Sequence, residues 1–498
     1  MKKAGLAGLD IGTSKIRCIL FDTRGNILFK YSLKTPIIQK KDGIYNPTKK
    51  VLEIVFKILK KTFKFSKEKK LTIKGLSISS VGEAGIPIDK NNNALMDIIP
   101  WYDQRTKAIK QKLYKKDFDF KIYNTTGLNS DYFYSVYKIL WIKKYKNNIY
   151  KKIHKWLPVN DFIAMKLTGN KSTDYSQAMR TLLFDPKRLC WSKEMIKLFG
   201  IKNNILPKII NAGDVKGNLN SYFQNKLGIE YNCIVAAGGH DHFVGIFGLG
   251  GFFKNTVVNS MGSAEAISLN TNKFIKNDKL RKGKFISGVF RTKEKTNYYI
   301  VGSILTSGTL IEWFIKTFKI KNYKKLKNLF NEKNNKEILF FPQFEYSHSP
   351  VNLESTKGFI TGLDRSTSIS DIYTSMLKCL SFDTKNALEF ICSNTKNKIN
   401  KIICSGGSVR NKHWMKTRAD ILNCDIYVDK NIENVSLGSA ILAGLASKIY
   451  KNEEEAFKSI NHKFKIIKTN KNYLKKYKYL HEKYNDSISK LYKLNNIT

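Results

Sequence analysis

Gly8-Leu9-Asp10-Ile11-Gly12-Thr13-Ser14-Lys15 lies where two apolar runs, 5–12 and 15–22, meet. Both runs are strand-length and small residues join them, which predicts strand–turn–strand. Thr23-Arg24-Gly25-Asn26 turns the chain again into Ile27-Leu28-Phe29, completing an antiparallel meander. Val51, Ile54, Val55, Ile58 and Leu59 recur at helical spacing and predict a helix over 48–65. Ile73-Lys74-Gly75-Leu76-Ser77-Ile78 then reads as a buried strand. Strands, a helix and a further strand make an α/β domain. Gly12 permits a tight turn whose backbone N–H groups face an anion. Thr13 and Ser14 add hydroxyl donors, and Asp10 faces the same place with an oxygen ligand for a metal ion. An ordinary hairpin with a polar turn has the same local pattern.

The grammar restarts after residue 250. Val257-Val258-Asn259-Ser260-Met261-Gly262-Ser263 reads as strand into turn, and further strands are expected over 264–302. Helices are expected at 305–318, 370–393 and 409–423, with the strand–turn Ile402-Ile403-Cys404-Ser405-Gly406-Gly407 between the last two. Two domains follow, 1–248 and 249–498. The glycines at 245, 248, 250 and 251 are expected to supply a hinge between them. Tyr473, Tyr477, Leu480, Tyr484, Ile488 and Leu491 predict a basic C-terminal helix.

A chain of 498 residues with 42% hydrophobic content can bury a substantial core. No apolar run reaches membrane-spanning length. Met1-Lys2-Lys3 resembles the start of a signal peptide, but Asp10 interrupts the apolar stretch at once. Seven scattered cysteines with no C-x-x-C pair argue against a disulfide framework or a zinc site, and a cytoplasmic location is expected. The net charge of +48 resembles a nucleic-acid signature. The lysines, however, are spread evenly and travel with Ile, Asn, Tyr and Phe, all of which have A/T-rich codons. Lysine also dominates over arginine, the better base reader. No specific nucleic acid and no membrane is therefore expected as a partner. P-loop and Rossmann glycine patterns are absent.

Three small-residue turns at strand ends carry the phosphate reading: Gly12-Thr13-Ser14, Gly262-Ser263-Ala264 and Gly406-Gly407-Ser408. The third precedes a helix, whose N-terminus suits a nucleotide. Asp241, in Gly238-Gly239-His240-Asp241-His242, is the leading candidate for a general base. The glycines are expected to leave room for a ligand. His240 and His242 flank the carboxylate at a polar strand end, with His242 on the substrate side. Glu83, among small residues, suits a polyol hydroxyl. Trp101-Tyr102-Asp103-Gln104-Arg105 mixes aromatic faces with hydrogen-bonding groups, as sugar sites do. Asp103 as a local cap is the alternative.

In order and spacing these segments resemble the FGGY family of carbohydrate kinases. The resemblance runs from residue 5 to about 490. It includes Ile99-Pro100-Trp101-Tyr102-Asp103-Gln104-Arg105-Thr106, Leu167-Thr168-Gly169, Thr173-Asp174-Tyr175-Ser176, Gly358-Phe359-Ile360-Thr361-Gly362-Leu363 and Leu437-Gly438-Ser439-Ala440. It implies an α/β fold of two actin-like (ribonuclease H-like) domains flanking an active-site cleft, with the sugar mainly on the first and ATP mainly on the second. It further implies Asp241 as the base and Asp10 as the Mg2+-associated aspartate. Gly12, Thr13, Ser14, Gly262 and Ser263 would contact phosphate, and Gly308, Gly407 and Asn411 the nucleotide. Glu83, Trp101, Asp103, Asp241 and His242 would contact substrate.

The chain departs from the family at informative places. Glycerol-specific members carry Arg-Glu, and xylulose-specific members Met-His, where Gly82-Glu83 stands here. Glycerol-specific members also have a tyrosine at the position of Phe133. Lys378 stands where an acidic residue is usual, at a place expected to follow a helix. The resulting expectation is ATP- and Mg2+-dependent phosphorylation of a small sugar, ketose or polyol, by a chain that forms a homodimer. A kinase of a non-carbohydrate, polyol-like signalling molecule and a basic nucleotide- and nucleic-acid-binding protein are the alternatives.

Overall fold

The structure is a computed structural model and describes residues 3–113, 116–331, 336–344, 348–351, 357–429 and 433–495. The chain divides into two compact units. The first gathers Met1–Phe252, Gly288–Tyr298 and Glu433–His462, and the second Phe253–Ser287, Tyr299–Ile432 and Lys463–Thr498. Segments of the two alternate along the chain, where the sequence suggested a single break at 248/249.

The first unit is built on a six-stranded sheet. Its strands are β1 (Lys3–Ile11), β2 (Lys15–Asp22), β3 (Ile27–Lys34), β4 (Leu71–Ser80), β5 (Val215–Asn218) and β6 (Ile234–His240), in the order β5-β6-β4-β1-β2-β3. β1, β2 and β3 form the antiparallel meander, while β1 and β6 run parallel to β4. Alternation along β1 sorts its side chains between two faces. Ala7, Leu9 and Ile11 join one core with Val51, Val55, Ile58, Leu59 and Phe63 of helix α1 (Thr48–Glu68).

The opposite face of β1 receives a helix from far down the chain, Asn434–Ala446. A Cβ on Gly8 would lie 2.0 Å from the Ser436 carbonyl oxygen, and one on Gly75 2.6 Å from that of Ala443. These glycines let the helix backbone settle onto the sheet, which is why 433–462 belongs to the first unit.

The same helix explains the glycines expected to be a hinge. Gly245 and Gly248 lie inside helix α4 (Asp241–Gly248), which follows α2 (Val159–Thr168) and α3 (Tyr175–Met179). A Cβ on Gly248 would come 2.5 Å from Asn434 O, and one on Gly438 2.0 Å from Val244 O. Glycine here permits helix–helix contact rather than hinge motion.

The second unit repeats the plan. Its sheet comprises β7 (Thr256–Met261), β8 (Glu265–Thr271), β9 (Ile286–Arg291), β10 (Thr296–Ile304), β11 (Lys401–Ser405), β12 (Ile426–Asp429) and β13 (Phe464–Ile467), ordered β9-β10-β8-β7-β11-β12-β13. β7 and β8 form a hairpin, and β11 runs parallel to β7, as β4 does to β1. The helices of this unit include α5 (Gly308–Thr317), α6 (Ile369–Thr395), α7 (Lys412–Leu422) and α9 (Leu474–Asn495); Asn434–Ala446, α8, belongs to the first unit. Lys378 lies inside α6 and is 5% exposed, a correction to its expected place after a helix. Burial pulls its ammonium down to about 8. No helix among the described residues is long and apolar enough to cross a membrane.

Candidate active site

Three neighbouring parallel strands of the first unit end together, the edge where open α/β sheets bind ligands. Across them Asp10 of β1 pairs in register with Ser79 of β4, and His240 of β6 with Ser80. Residues 230 positions apart thereby reach one edge. Asp10 also faces Arg17 across the first hairpin. Arg17 Nε and Nη2 each lie 3.0 Å from Asp10 Oδ2, and Arg17 Nη1 donates to Glu433 at 2.7 Å. Asp10 is 2% exposed. Burial first, then the Asp241 charge, lift its carboxyl to about 7 against the pull of Arg17. The Gly12-Thr13-Ser14 turn is braced by Thr35, which donates its Oγ1 to Gly12 O and its N–H to Ser14 O.

Asp241 opens α4 immediately after β6, so the polar strand end of the sequence reading is a strand-to-helix junction. Its Oδ1 accepts the His242 N–H at 2.7 Å and lies 3.2 Å from His240 Nε2. Its Oδ2 has no hydrogen bond among the described residues, and the side chain is 20% exposed. Burial, opposed by the His242 N–H and reinforced by the Glu83 charge, raises this carboxyl to about 7. Burial holds His240 well below the usual imidazole range, so it is neutral. Its Nδ1 is buried without a partner among the described residues. His242 is exposed in the first turn of α4.

The glycine pair before Asp241 makes room for protein rather than ligand. A Cβ on Gly238 would meet Ile78 O at 2.0 Å, and one on Gly239 would meet Ser176 Oγ at 2.6 Å. Ser176 in turn accepts the His240 N–H at 2.9 Å and donates to Asp174 at 2.6 Å. The Thr173-Asp174-Tyr175-Ser176 segment thus fixes the backbone that presents Asp241.

Glu83 is 6% exposed, with φ +61°, an uncommon left-handed conformation for a non-glycine residue. Its Oε1 is held by the Arg180 guanidinium, which stacks over Tyr134 with its centre 5.0 Å from the ring. Gly82 makes this possible: a Cβ there would lie 3.0 Å from both Arg180 Cγ and His240 Nε2. Arg180 escaped the sequence reading, having no local motif to mark it.

Trp101 is 39% exposed and donates its indole N–H to Thr13 Oγ1 at 2.9 Å, joining a substrate candidate to a phosphate candidate. Asp103 behaves differently. Its Oδ1 accepts from Arg105 N (2.9 Å) and Nε (2.6 Å), and its Oδ2 from Ile44 N (2.6 Å) and Arg105 Nη2 (3.0 Å). At 2% exposed, that carboxylate locks a loop.

In the second unit Gly262 and Ser263 form the exposed turn of the β7–β8 hairpin. Ser263 O accepts the N–H groups of Ser307 and Thr309 at 3.3 and 3.2 Å. Gly308 packs so closely that a Cβ would lie 2.3 Å from Gly262 O, whereas Gly407 opens onto empty space. Asn411 caps α7, accepting from Trp414 N at 3.2 Å and donating to Tyr373 OH at 2.8 Å. Beneath these turns is a pair that sequence reasoning did not find. Arg418 Nη1 and Nη2 donate to Glu265 at 2.7 and 2.9 Å, with both side chains fully buried. Ser307 Oγ and Asn259 Nδ2 donate to the same carboxylate, each at 2.7 Å. Burial pushes Glu265 up, but the charge and hydrogen bonds of Arg418, with those of Ser307 and Asn259, hold it below the usual range.

Comparison with known proteins agrees with this architecture. The family model described as the FGGY family of carbohydrate kinases, N-terminal domain, matches residues 6–248, and the C-terminal domain of the same family matches 257–447. A glycerol kinase of Thermococcus gammatolerans is 28% identical over 456 residues, 90% of each chain. A xylulose kinase of Staphylococcus xylosus is 26% identical over 481 residues, 94% of this chain and 96% of that one. The crystal structure of Plasmodium falciparum glycerol kinase with ADP superposes with a TM-score of 0.90, covering 98% of both chains at 23% identity.

Proposed function

Because the chain belongs to the FGGY family of carbohydrate kinases, it is a phosphotransferase with an alcohol acceptor, and we propose that it transfers the γ-phosphoryl group of ATP to a hydroxyl of a small sugar, ketose or polyol, with Asp241 as general base. One observation carries this reading. Asp241 offers an unbonded Oδ2 on a carboxyl raised to about 7, and a base is most effective when its pKa lies near the working pH. The His242 N–H holds the other oxygen, with His240 Nε2 3.2 Å from it, which orients the open one. Transfer then needs little covalent help from the protein beyond position and charge.

Substrate contacts are assigned to Trp101, Glu83 and His242. Arg180 holds Glu83 and neutralises it, so the pair acts as one hydrogen-bonding wall. Asp103 positions the loop that carries Trp101. Phosphate contacts are assigned to Gly12, Thr13 and Ser14 in the first unit and to Gly262 and Ser263 in the second. Gly308 and Gly407 keep the nucleotide turns of the second unit narrow and open, respectively. The side chain of Asn411 is spent on its cap, so its part is to aim the start of α7.

The residues at Asp10 fit Mg2+. This ion takes one or two carboxylates and completes its shell with water and phosphate oxygens. Among the described residues Asp10 Oδ1 has only Ser79 Oγ, at 3.5 Å, while Arg17 occupies Oδ2. The charge of Asp241 acts on Asp10, so a second carboxylate lies within reach of such an ion. When bound, the ion supplies charge neutralisation for the phosphates.

The test is an ATP-coupled screen of glycerol, D-xylulose, D-gluconate and related alditols and ketoses, read as ADP release and phosphorylated product. At least one is turned over. Failure with every carbohydrate, alongside turnover of a non-carbohydrate polyol, would reject the substrate class.

A further inference from the structure

The Glu83–Arg180 pair stands beside the base. A Cβ on Gly82 would lie 3.0 Å from Arg180 Cγ and 3.0 Å from His240 Nε2. His240 Nε2 is in turn 3.2 Å from Asp241 Oδ1. The charges of Glu83 and Arg180 both act on Asp241, so a hydroxyl that meets Asp241 is flanked by this pair.

The pair is held from its backbone outward. Ser135 donates its Oγ to Glu83 O at 2.9 Å and its N–H to Arg180 O at 3.2 Å. One residue thereby staples two segments that lie 97 positions apart. The guanidinium rests on Tyr134 and grips Glu83 Oε1 through Nε and Nη2. Glu83 Oε2 has no hydrogen bond among the described residues, and the side chain keeps 7% of its surface open.

The cations that act on Asp241 and Glu83 are already committed. Arg180 serves Glu83, and Arg17 serves Asp10 and Glu433. Lys138, which feels the Glu83 charge, is fully buried and donates its Nζ to Phe133 O. His240 and His242 are held below the usual imidazole range by burial and are neutral. What remains open is two carboxylate oxygens, Asp241 Oδ2 and Glu83 Oε2. A hydroxyl donates to such an oxygen, whereas a second carboxylate cannot and brings like charges together. Arg180 cannot turn toward that carboxylate without leaving Glu83 buried and unpaired.

Building on the carbohydrate-kinase reading above, we propose that the Glu83–Arg180 pair selects an uncharged acceptor, a polyol or ketose that donates one hydroxyl to Asp241 and a second to Glu83, and refuses aldonates, in which a carboxylate replaces a terminal hydroxymethyl or carbonyl carbon. Arg180 is the residue that determines this specificity. Its planar fork is the natural partner of an acceptor carboxylate, and Glu83 occupies it.

The test compares initial rates on the full-length protein with ATP and Mg2+. Three uncharged compounds, glycerol, D-xylulose and D-sorbitol, are set against aldonates of the same carbon number, D-glycerate, D-xylonate and D-gluconate. Phosphorylated product is read by mass spectrometry. In the best pair, wild type favours the uncharged member by at least about tenfold in kcat/KM. Glu83→Gln keeps the shape of the side chain, removes its charge and leaves Arg180 for a carboxylate, so that ratio narrows by at least about fivefold. Thermal denaturation shows whether the variant is folded; if it is not, the wild-type ratio decides alone. A smaller wild-type ratio, or an aldonate preferred, overturns the inference and leaves the kinase reading standing. A ratio that does not narrow in folded Glu83→Gln overturns the role of the pair. No turnover of any of the six overturns the inference together with the acceptor class beneath it.

Discussion

Arg17 faces Asp10 across the first hairpin, placing a guanidinium 3.0 Å from a carboxylate whose strand ends at the active edge of the sheet. The register of the hairpin builds this contact, since the two residues are direct cross-strand partners. Arg17 also spans to Glu433 just before α8, so a single side chain ties the phosphate turn to the helix that returns from the end of the chain.

Arg17→Gln removes the guanidinium that touches Asp10, and the Asp10 carboxyl climbs above its present value of about 7. A fall of roughly tenfold or more in kcat/KM at neutral pH is expected, recovering partly at higher pH. A pH–rate profile of the variant checks this; an unchanged profile contradicts it.

The pH dependence of the wild type follows from Asp241. A base must be unprotonated, so kcat/KM rises as pH passes through about 7. Stability runs the opposite way. The folded pKa lies above the ordinary carboxyl value of 3.8, so the native state holds an extra proton between the two. The stability contributed by protonated Asp241 is full below about 4 and is lost as pH rises through about 7. Asp241→Asn should match the wild type in Tm at pH 4 and exceed it at pH 8, measured by thermal denaturation at both.

Gly438→Ala drives a methyl group to 2.0 Å from Val244 O. Neither backbone can give way easily, since Gly248 packs against the same helix. A loss of about 3 kcal/mol is expected, with urea unfolding as the measurement.

Arg418→Met leaves Glu265 buried without its counter-ion. Breaking such a pair costs about 3–5 kcal/mol. Because Glu265 also holds Ser307, the variant should additionally weaken nucleotide binding, measured by calorimetric titration of ADP.

Gly82→Met puts a side chain where Arg180 Cγ and His240 Nε2 already stand, 3.0 Å from the new Cβ. Displacing Arg180 releases Glu83, so the acceptor KM should rise by about tenfold while the KM for ATP stays near wild type. Equal effects on both constants would contradict the assignment of Glu83 to the acceptor.

Legibility in the sequence divided along a physical line. Hairpins, small-residue turns and amphipathic helices are local patterns, so Gly12-Thr13-Ser14, Gly262-Ser263 and a helix over 48–65 were readable from residue order alone. Long-range partners were not. Nothing near Glu83 announces Arg180, nothing near Asp10 announces Glu433, and the Glu265–Arg418 pair joins residues 153 positions apart. Glycines misled for a related reason. A sequence reveals that a side chain is missing but not what occupies the space, so Gly238, Gly239, Gly245 and Gly248 were read as ligand room or hinge when backbone and side chains of the protein fill it. Asp103 was readable both as a sugar contact and as a cap, and only its four hydrogen bonds separate the two.

The central claim is that Asp241 takes the proton from the acceptor hydroxyl. Turnover of the best acceptor found in the screen, measured for Asp241→Asn beside ADP affinity on the same preparation, tests it most directly. The account predicts a kcat lower by about a thousandfold or more with ADP affinity within about twofold of wild type. A variant that phosphorylates the acceptor at the wild-type rate would contradict it.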